Sequence, residues 1–560
     1  FFSSRRRHTR LLTVTGVQTC ALPICELGEA WISDNDTLLR IGDGVTPGGA
    51  PVNNRLQNGA FSAPMAADGS ITIPGTINSV GTMTLTGSGI EHTTWIAAFD
   101  DGSEDDSIYA RAVAYDSQGN AYISWHYDFP GQGVWKLDPQ GNKLWGKYID
   151  SYEALGLGLA IDHHDNPIAL QTIYSGGATA PVVTKFNGIN GSVDWSVLFT
   201  DYGLSSQAAA IECDAAGDVF VAGYFQNTQA NINEFLTVKL SGKDGSVIWS
   251  RGYNAGENPN LSFCCAVDSD GDVIVGGESL VPDYQWVTVF KLKGTDGSLV
   301  WSQDVYDPAA YGMDSTQGLI MGGMSVDAAG SVFFNSSWVI PGVPGTCYGI
   351  TTKLDKNGVF QWGRMSDQNV DFVALSTATD AKGDTYSLSI YQQAETNYFD
   401  YLNVENNYSV ARDVYLLIKY DTQGRMQWQR FLANRQNTIM YKFYDFDYPV
   451  SGGTFIDVND DYLLIGGTRY IIEPYAPNYT EDYYPDVFAI QMPKDGEPWN
   501  SNGWDFFPAN VAMSNVTAPT FGSFEAILET VPLLVGPSEL YYEDSVVEIS
   551  TCSTESTPEQ

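Results

Sequence analysis

The chain has 560 residues, of which 43% are hydrophobic and 13% aromatic, enough to form a large buried core. Its 67 acidic and 28 basic residues give a formal net charge of −39. This balance argues against nucleic acid as a partner, because phosphate binding needs clustered Lys and Arg. No run of about 18 apolar residues occurs, so no membrane-spanning helix is predicted.

Residues 1–25 differ in composition from the rest of the chain. They contain four arginines and no acidic residue. An arginine-rich start before an apolar stretch is typical of a secretory signal, but here threonine and glutamine interrupt the apolar stretch. The segment resembles a translated sequencing adapter. We therefore predict an artefact that is disordered and plays no part in the fold.

Residues 26–49 predict two short strands around a turn at 34–36, followed by a glycine-rich stop. The core LRIGDGVTPGG, from Leu39 to Gly49, resembles a segment of bacteriophage tail-fibre and other virion proteins. The resemblance implies a β-rich attachment or stalk segment over 26–90. Because so few apolar residues cannot form a core alone, we expect pairing with other copies of the chain, as a homotrimer. A flexible linker is the alternative.

Two short phrases recur from Trp95 to about Pro508. One combines a basic residue, an apolar residue, a glycine-containing turn and tryptophan, as in KLSGKDGSVIW (239–249). The other, earlier in each unit, is an apolar strand, an aspartate and a tight turn, as in AIECDAAGDVFVAGY (210–224). The seven copies of the first phrase end at Trp145, Trp195, Trp249, Trp301, Trp362, Trp428 and Trp499.

Each unit predicts four strands, A to D, with strand A ending at the aspartate and strand D beginning at the tryptophan. Four antiparallel strands per ~50 residues, repeated, indicate a β-propeller. We predict an all-β fold: a seven-bladed β-propeller with four-stranded antiparallel blades over 91–508, preceded by the short β-rich N-terminal module. Residues 509–560 are predicted to form a C-terminal extension with a polar, disordered tail.

Closure of the ring depends on a predicted strand D near residue 95, which has no strands A, B and C before it in the chain. Residues 93–100 contain this strand and are expected to complete the blade that begins at Phe455, because a ring must hide its two free edges. The sequence GWDFFPA (503–509) competes for the same place.

The repeated residues are expected to be structural. In its glycine–tryptophan spacing the first phrase resembles the docking motif of quinoprotein (PQQ-like) propellers, in which the aromatic side chain wedges blades together. Strand C and strand A should also place a lysine and an aspartate at one end of each blade, which predicts a repeated ion pair. The lysines are 136, 185, 239, 291, 353 and 419, and the aspartates are 116, 162, 214, 268, 327, 380 and 457.

Few residues suggest catalysis. Cys264 and Cys265 are adjacent, and in some quinoprotein dehydrogenases a pair of adjacent cysteines lies beneath the cofactor. No calcium or quinone ligands can be placed in this sequence. We therefore expect packing cysteines and no cofactor. Asp268 is expected to lie in a strand turn, and His163–His164 lacks partner histidines. No metal site and no nucleophile or phosphate-binding motif is predicted. The chain is therefore expected not to be an enzyme.

The variable connections supply the candidate binding residues. The largest insertions, within the last two units, are rich in tyrosine beside Asn, Asp and Glu, a composition suited to glycans or protein surfaces. Packing of these loops on one another is the alternative. The candidates are Tyr398, Tyr401, Tyr408, Tyr444, Tyr475, Tyr479, Tyr483 and Tyr484.

Three functional hypotheses follow. The first, implied by the resemblance of 26–90, is a virion protein whose propeller binds a host surface glycan or protein, or neighbouring virion proteins. The second is a quinoprotein-like or glycan-cleaving propeller enzyme, which predicts a polar pocket on the propeller axis with perturbed carboxylates. The third is a secreted or cell-surface bacterial scaffold.

Overall fold

The computed structural model describes part of the chain, in two compact units, Phe1–His92 and Thr93–Gln560, which are considered separately. In the first unit it describes residues 30–32, 39–41 and 50–51. In the second it describes residues 94–100, 108–127, 132–149, 155–175, 178–199, 206–227, 232–254, 260–281, 284–305, 318–339, 347–366, 371–392, 413–434, 438–440, 455–471, 484–501, 504–509, 511–515, 521–522, 527–530, 535–537, 543–544 and 548–553.

The first unit contains a small antiparallel sheet. Strand Ala30–Ile32 pairs with Leu39–Ile41, which in turn pairs with Ala50–Pro51. The predicted strand pair within 26–49 is therefore confirmed.

The second unit is a seven-bladed β-propeller with four antiparallel strands in each blade, which confirms the predicted fold class. The innermost strand A of each blade packs against strand A of the next, from blade 1 round to blade 7 and back to blade 1. Throughout the described residues the regular structure is β-strand. No helix in them is long and apolar enough to cross a membrane.

The blades follow one another along the chain. The strands of blade 1, from A to D, are Ile108–Tyr115, Ala121–Tyr127, Gln132–Leu137 and Lys143–Ile149. Those of blade 2 are Leu155–Ile161, Pro167–Ser175, Ala178–Phe186 and Val193–Phe199. Those of blade 3 are Ser206–Cys213, Val219–Asn227, Ile232–Leu240 and Val247–Asn254. Those of blade 4 are Asn260–Val267, Val273–Val281, Tyr284–Leu292 and Leu299–Val305.

The last three blades contain longer connections. The strands of blade 5 are Gly318–Val326, Val332–Val339, Cys347–Leu354 and Phe360–Ser366. Those of blade 6 are Asp371–Thr379, Thr385–Gln392, Asp413–Tyr420 and Met426–Asn434. In blade 7, strand A is formed by Thr438–Met440 and Ile456–Val458, and strands B and C are Tyr462–Ile471 and Tyr484–Pro493.

The N-terminal strand Trp95–Asp100 closes the ring as strand D of blade 7. It pairs with Tyr484–Pro493, as predicted. The competing segment joins blade 6 instead, where Trp504–Pro508 pairs with strand D and with Trp499–Ser501. Trp499 therefore does not begin the strand D of blade 7, and Trp95 takes that place.

The C-terminal segment adds an outer strand to every blade, a course that the sequence did not predict. Each addition is antiparallel to a strand D, and together these strands run once around the ring. We call them the C-terminal belt: Trp504–Pro508 on blade 6, Met513–Asn515 on blade 5, Phe521–Gly522 on blade 4, Ile527–Thr530 on blade 3, Val535–Pro537 on blade 2, Glu543–Asp544 on blade 1 and Glu548–Ser553 on blade 7. Because strand D would otherwise present unpaired N–H and C=O groups, the belt covers the outer edges of the blades.

The aspartate phrase forms the turn between strands A and B. In blade 1, Asp116 accepts backbone N–H bonds from Gln118 and Asn120 at 3.0 and 2.8 Å. Gly119 adopts a φ of +76°, which favours glycine, and allows the chain to reverse within a few residues. These turns and the short C–D turns lie at the same end of the blades, which we call the short-turn face.

The tryptophan phrase joins each blade to the next. In blade 2, the ring of Trp195 packs on Gly245 in the C–D turn of blade 3, where an added Cβ would lie 2.9 Å from the ring. Its Nε1–H donates to the carbonyl oxygen of Gly242 at 3.1 Å. Six of the seven junctions make this hydrogen bond within the described residues, and the tryptophans concerned are Trp95, Trp145, Trp195, Trp249, Trp301 and Trp362.

The predicted ion pair between strand C lysine and turn aspartate is confirmed in five blades. The pairs are Lys136–Asp116 at 3.1 Å, Lys185–Asp162 at 2.7 Å, Lys239–Asp214 at 2.8 Å, Lys291–Asp268, and Lys353–Asp327 at 3.5 Å. Burial raises the pKa of Asp162, but hydrogen bonds from Lys185 and the turn outweigh burial and hold that pKa below its usual range.

The prediction is wrong in the last two blades. Lys419 of blade 6 pairs with Asp384 at 2.9 Å rather than with Asp380. In blade 7 the turn residue is Asn459, whose side-chain oxygen accepts N–H bonds from the turn. Asp457 lies two residues earlier, within strand A.

Candidate axial site

A cavity of about 290 Å³ lies on the propeller axis, enclosed by the inner strands of blades 2 to 7. Its wall contains the backbone and small side chains of these strands together with hydroxyl groups. Ser325 of blade 5 hydrogen-bonds Thr377 and Thr379 of blade 6 at 3.0 and 2.7 Å. The wall is therefore a mixture of apolar and hydrogen-bonding groups, as in many small-molecule sites.

Two carboxylates, Glu212 and Asp457, also line this cavity. Each lies two residues before the turn residue that ends strand A, Glu212 in blade 3 and Asp457 in blade 7. The corresponding residues in the other blades are small: Ala114, Ala160, Ala266, Ser325 and Ala378. One ring of equivalent positions thus carries two carboxylates, and both are near the short-turn face.

The surroundings of Glu212 favour its neutral form. Burial raises the pKa of Glu212, one backbone N–H bond lowers it and the charge of Asp457 raises it slightly, so that the pKa is about 7 in place of 4.5. That bond comes from Cys213 at 3.0 Å. The side chain remains partly accessible to water because it faces the cavity.

Asp457 is better provided with hydrogen-bond donors. The backbone N–H groups of Tyr115 and Val458 donate to its two oxygens, each at 2.7 Å. Burial raises the pKa of Asp457, and these two bonds oppose the rise. Since a carboxylate that accepts more N–H bonds holds its negative charge more readily, Glu212 is the protonated member of the pair when one proton is shared.

From its place in the repeat, Asp457 was expected to be a turn residue, and Glu212 was not among the predicted site residues. Alignment of the phrases AIECD (210–214) and FIDVN (455–459) on their turn residues would have found both, since each has a carboxylate two residues earlier. What the alignment could not supply is that the closed ring places both residues in the lining of one axial cavity.

Cys213, Cys264 and Cys265 are free thiols, as expected of packing residues. Cys264 and Cys265 belong to different buried apolar clusters, on opposite sides of strand A of blade 4. Burial raises the pKa of both thiols, and that of Cys213 as well. Because the thiolate is the nucleophilic form, these cysteines are poorly suited to nucleophilic catalysis.

Asp268 forms an A–B turn, where its oxygen accepts the N–H groups of residues 270 and 272. The rings of His163 and His164 lie 3.7 Å apart in the turn of blade 2. No group of three or more metal-ligating side chains occurs within the part of the chain that the structure describes. The tyrosine candidates lie outside the described residues, except that the backbone of Tyr484 begins a strand.

No protein-family model and no curated protein matches the chain. Among solved structures it is similar to an ulvan lyase from a polysaccharide lyase family described as new, at 9% identity and a TM-score of 0.40, over 70% of this chain and 94% of the other. It is similar to the β-propeller domain of the Trilobed protease from Pyrococcus furiosus, at 9% identity and 0.38, over 70% and 97%. The polysaccharide lyase Uly1 matches at 10% identity and 0.34, over 60% and 90%.

These matches correct one expectation. The chain was expected not to be an enzyme, because its seven repeats form a framework without a catalytic motif. That expectation was wrong: the similar solved structures include polysaccharide lyases, which are enzymes. No family match supports the resemblances to phage virion proteins or to quinoprotein propellers.

Proposed function

We propose that this propeller cleaves glycosidic bonds at the axial cavity, with Glu212 as the general acid and Asp457 as the ionised partner. The observation that carries the proposal is the pair of cavity-lining carboxylates at equivalent positions of blades 3 and 7. An axial polar pocket with perturbed carboxylates is also what the sequence predicts for the enzymatic hypothesis.

The raised pKa suits Glu212 to donate a proton. At a pKa of about 7 a large fraction of the carboxyl groups is protonated at neutral pH, whereas an ordinary glutamate would be almost fully ionised. A catalytic acid works best when its pKa is close to the working pH. Glu212 would protonate the oxygen of the departing sugar as the glycosidic bond breaks.

Asp457 suits the complementary step. Its carboxylate, which accepts two backbone N–H bonds, would accept a proton from water while the water oxygen bonds to the anomeric carbon. The proton lost by Glu212 stays on the leaving hydroxyl, and Asp457 then holds the proton from water. Transfer of that proton through solvent to Glu212 restores both groups. The net reaction is hydrolysis, and the two carboxylates keep different roles because their environments differ.

A sugar is the substrate class that fits the wall best. The hydroxyl groups of Ser325, Thr377 and Thr379 act as both donors and acceptors, as sugar hydroxyls require. The thiols of the cavity are held protonated by burial, so acid–base chemistry by the carboxylates is favoured over a thiolate nucleophile. The tyrosine-rich loops, a composition suited to glycans, agree with this class on sequence grounds.

The test is release of reducing ends from a panel of polysaccharides that includes β-glucans, mannan, xylan and polygalacturonate. Wild type is expected to act on at least one, and Glu212→Gln and Asp457→Asn to lose at least ~100-fold in rate. Asp304→Asn is the matched control. Asp304 is also buried, with a pKa raised to about 6, but it lies in strand D of blade 4, away from the axial cavity lining.

Two results would overturn the proposal. One is hydrolysis that survives in both carboxylate variants. The other is a product with an unsaturated sugar end and no gain of water, which would indicate elimination in place of hydrolysis.

Attachment to a virion, with a host surface or neighbouring virion proteins as partners, remains a proposal that rests on the sequence of 26–90. A propeller that cleaves glycans is compatible with it. Electron microscopy of particles labelled with an antibody to the propeller would test this location.

A further inference from the structure

The junction between blades 6 and 7 is built differently from the other six. There the Nε1–H of Trp428 is buried and finds no acceptor among the described residues, although its ring packs on Gly496 of blade 7 as the repeat requires. A buried donor without a partner costs about 1–3 kcal/mol, so the other junctions avoid this arrangement.

The sequence of blade 7 also departs from the repeat at this junction. Gln491 replaces the strand C lysine, and its side chain donates to the carbonyl oxygen of Pro139 in blade 1. The next lysine along the chain after Gln491 is Lys494, in the C–D turn of blade 7. Its Nζ reaches back to blade 6 and pairs with Asp380 at 3.0 Å.

The ion pairs of blade 6 therefore differ from those of the earlier blades. Lys494 pairs with Asp380, and Lys419 pairs with Asp384 at 2.9 Å, the second turn aspartate. Lys419, Asp384 and Trp428 then line an open cavity of about 700 Å³ on the short-turn face, which the C–D turn of blade 7 completes with Asp495.

The remaining wall comes from the C–D turn of blade 6. Arg425 pairs with Asp421 at 2.6 Å, and Gln427 donates to the same carboxylate at 3.1 Å. All three line the cavity. The wall therefore holds paired charges, an amide and a half-buried tryptophan ring.

We propose that this cavity, the junction 6/7 site, binds an uncharged oligosaccharide. Two cations face three carboxylates and are mostly paired with them, so the wall offers donors and acceptors but no excess positive charge for an anionic sugar. Sugar hydroxyls match such mixed groups, and the exposed part of the half-buried Trp428 ring adds apolar surface beside them.

The site lies on the face nearest to Glu212 and Asp457, so a chain held here would be retained beside the axial cavity. The binding inference does not depend on cleavage. Glycan binding through the short-turn face also differs from the sequence-based expectation, which placed binding on the tyrosine-rich loops.

The test is calorimetric titration of Glu212→Gln protein, so that no ligand is cleaved, with cellohexaose, laminarihexaose, mannohexaose and xylohexaose, and with hexagalacturonate as the anionic arm. At least one neutral hexaose is expected to bind. The double variant Gln427→Ala/Asp495→Ala should weaken that binding about tenfold, the loss expected when two hydrogen-bonding groups are removed.

The other junctions supply a matched control. Gln361 donates to Asp355 at 3.3 Å as Gln427 does to Asp421, and Asp296 precedes a turn glycine as Asp495 does. Gln361→Ala/Asp296→Ala should leave the affinity within about twofold. All four positions are exposed, so folding should survive in either double variant.

Absence of binding by every neutral hexaose would overturn the inference, as would equal weakening by the two double variants. Hexagalacturonate that binds as tightly as the best neutral hexaose would overturn the ligand class. Binding that is retained while wild type cleaves none of the polysaccharides would contradict the proposed hydrolysis alone.

Discussion

Replacing Glu212 with glutamine should stabilise the propeller at alkaline pH and leave its stability unchanged at acidic pH. Burial raises the pKa of Glu212 from 4.5 in the unfolded chain to about 7 in the folded protein. The folded state therefore binds the proton more tightly. The stability that this contributes is fully present below the unfolded pKa and is lost as pH rises through the folded pKa.

The size of the effect follows from the two pKa values. A rise from 4.5 to about 7 corresponds to about 3 kcal/mol between its limits. This is an upper value, because part of the carboxyl faces the cavity and contacts water. Glutamine has nearly the same shape and carries no charge, so the variant should keep this contribution at all pH values.

Urea denaturation of wild type and Glu212→Gln at about pH 4 and pH 8.5 would measure the difference. The variant should match wild type at the lower pH and exceed its free energy of unfolding by up to about 3 kcal/mol at the higher one. Asp304→Asn should show the same sign over a lower window, from 3.8 to about 6. A Glu212→Gln protein that is no more stable than wild type at pH 8.5 would refute the reasoning.

Two further predictions concern the framework. Deletion of 510–560 removes the belt strands from six blades. The deletion should lower the free energy of unfolding by several kcal/mol, measured by denaturation, and promote edge-to-edge association, measured by light scattering. A monomer of unchanged stability would contradict this role of the belt. Trp249→Phe loses the hydrogen bond to Gly294 and should cost about 1 kcal/mol more than Trp428→Phe, whose Nε1–H has no acceptor among the described residues. Equal losses would contradict the distinction between the two junctions.

Much of the fold could be predicted because its information is local and repeated. Each turn aspartate and each turn glycine acts within a few residues, so a single phrase fixes a hairpin and seven phrases fix the ring. The ring closure by Trp95–Asp100 could also be predicted, since its sequence matches the other D strands.

The C-terminal belt could not be predicted in the same way. Its members are two to six residues long and are paired with strands far away in the sequence, such as Glu548–Ser553 with Trp95–Asp100. Backbone hydrogen bonds to an exposed edge require no particular side chains. Such pairings therefore leave little pattern in the sequence.

The candidate sites escaped the sequence analysis for a related reason. The repeat predicts equivalent residues in every blade, whereas both sites contain residues that differ from the repeat. Glu212 and Asp457 stand where the other blades have small residues, and Asp380 pairs with Lys494 while Lys419 pairs with Asp384. The departures can be read from an alignment of the phrases. Their meeting across the axis or across a junction depends on the closed ring.

The pH dependence of polysaccharide hydrolysis tests the central claim most directly. For wild type, the rate should fall as pH rises through about 7, because deprotonation of Glu212 removes the general acid. Glu212→Gln should be nearly inactive, and its residual rate should lack that alkaline fall. A wild-type rate that does not change between about pH 5 and pH 9, or a Glu212→Gln protein with the wild-type rate and profile, would contradict the assignment of catalysis to the axial carboxylates.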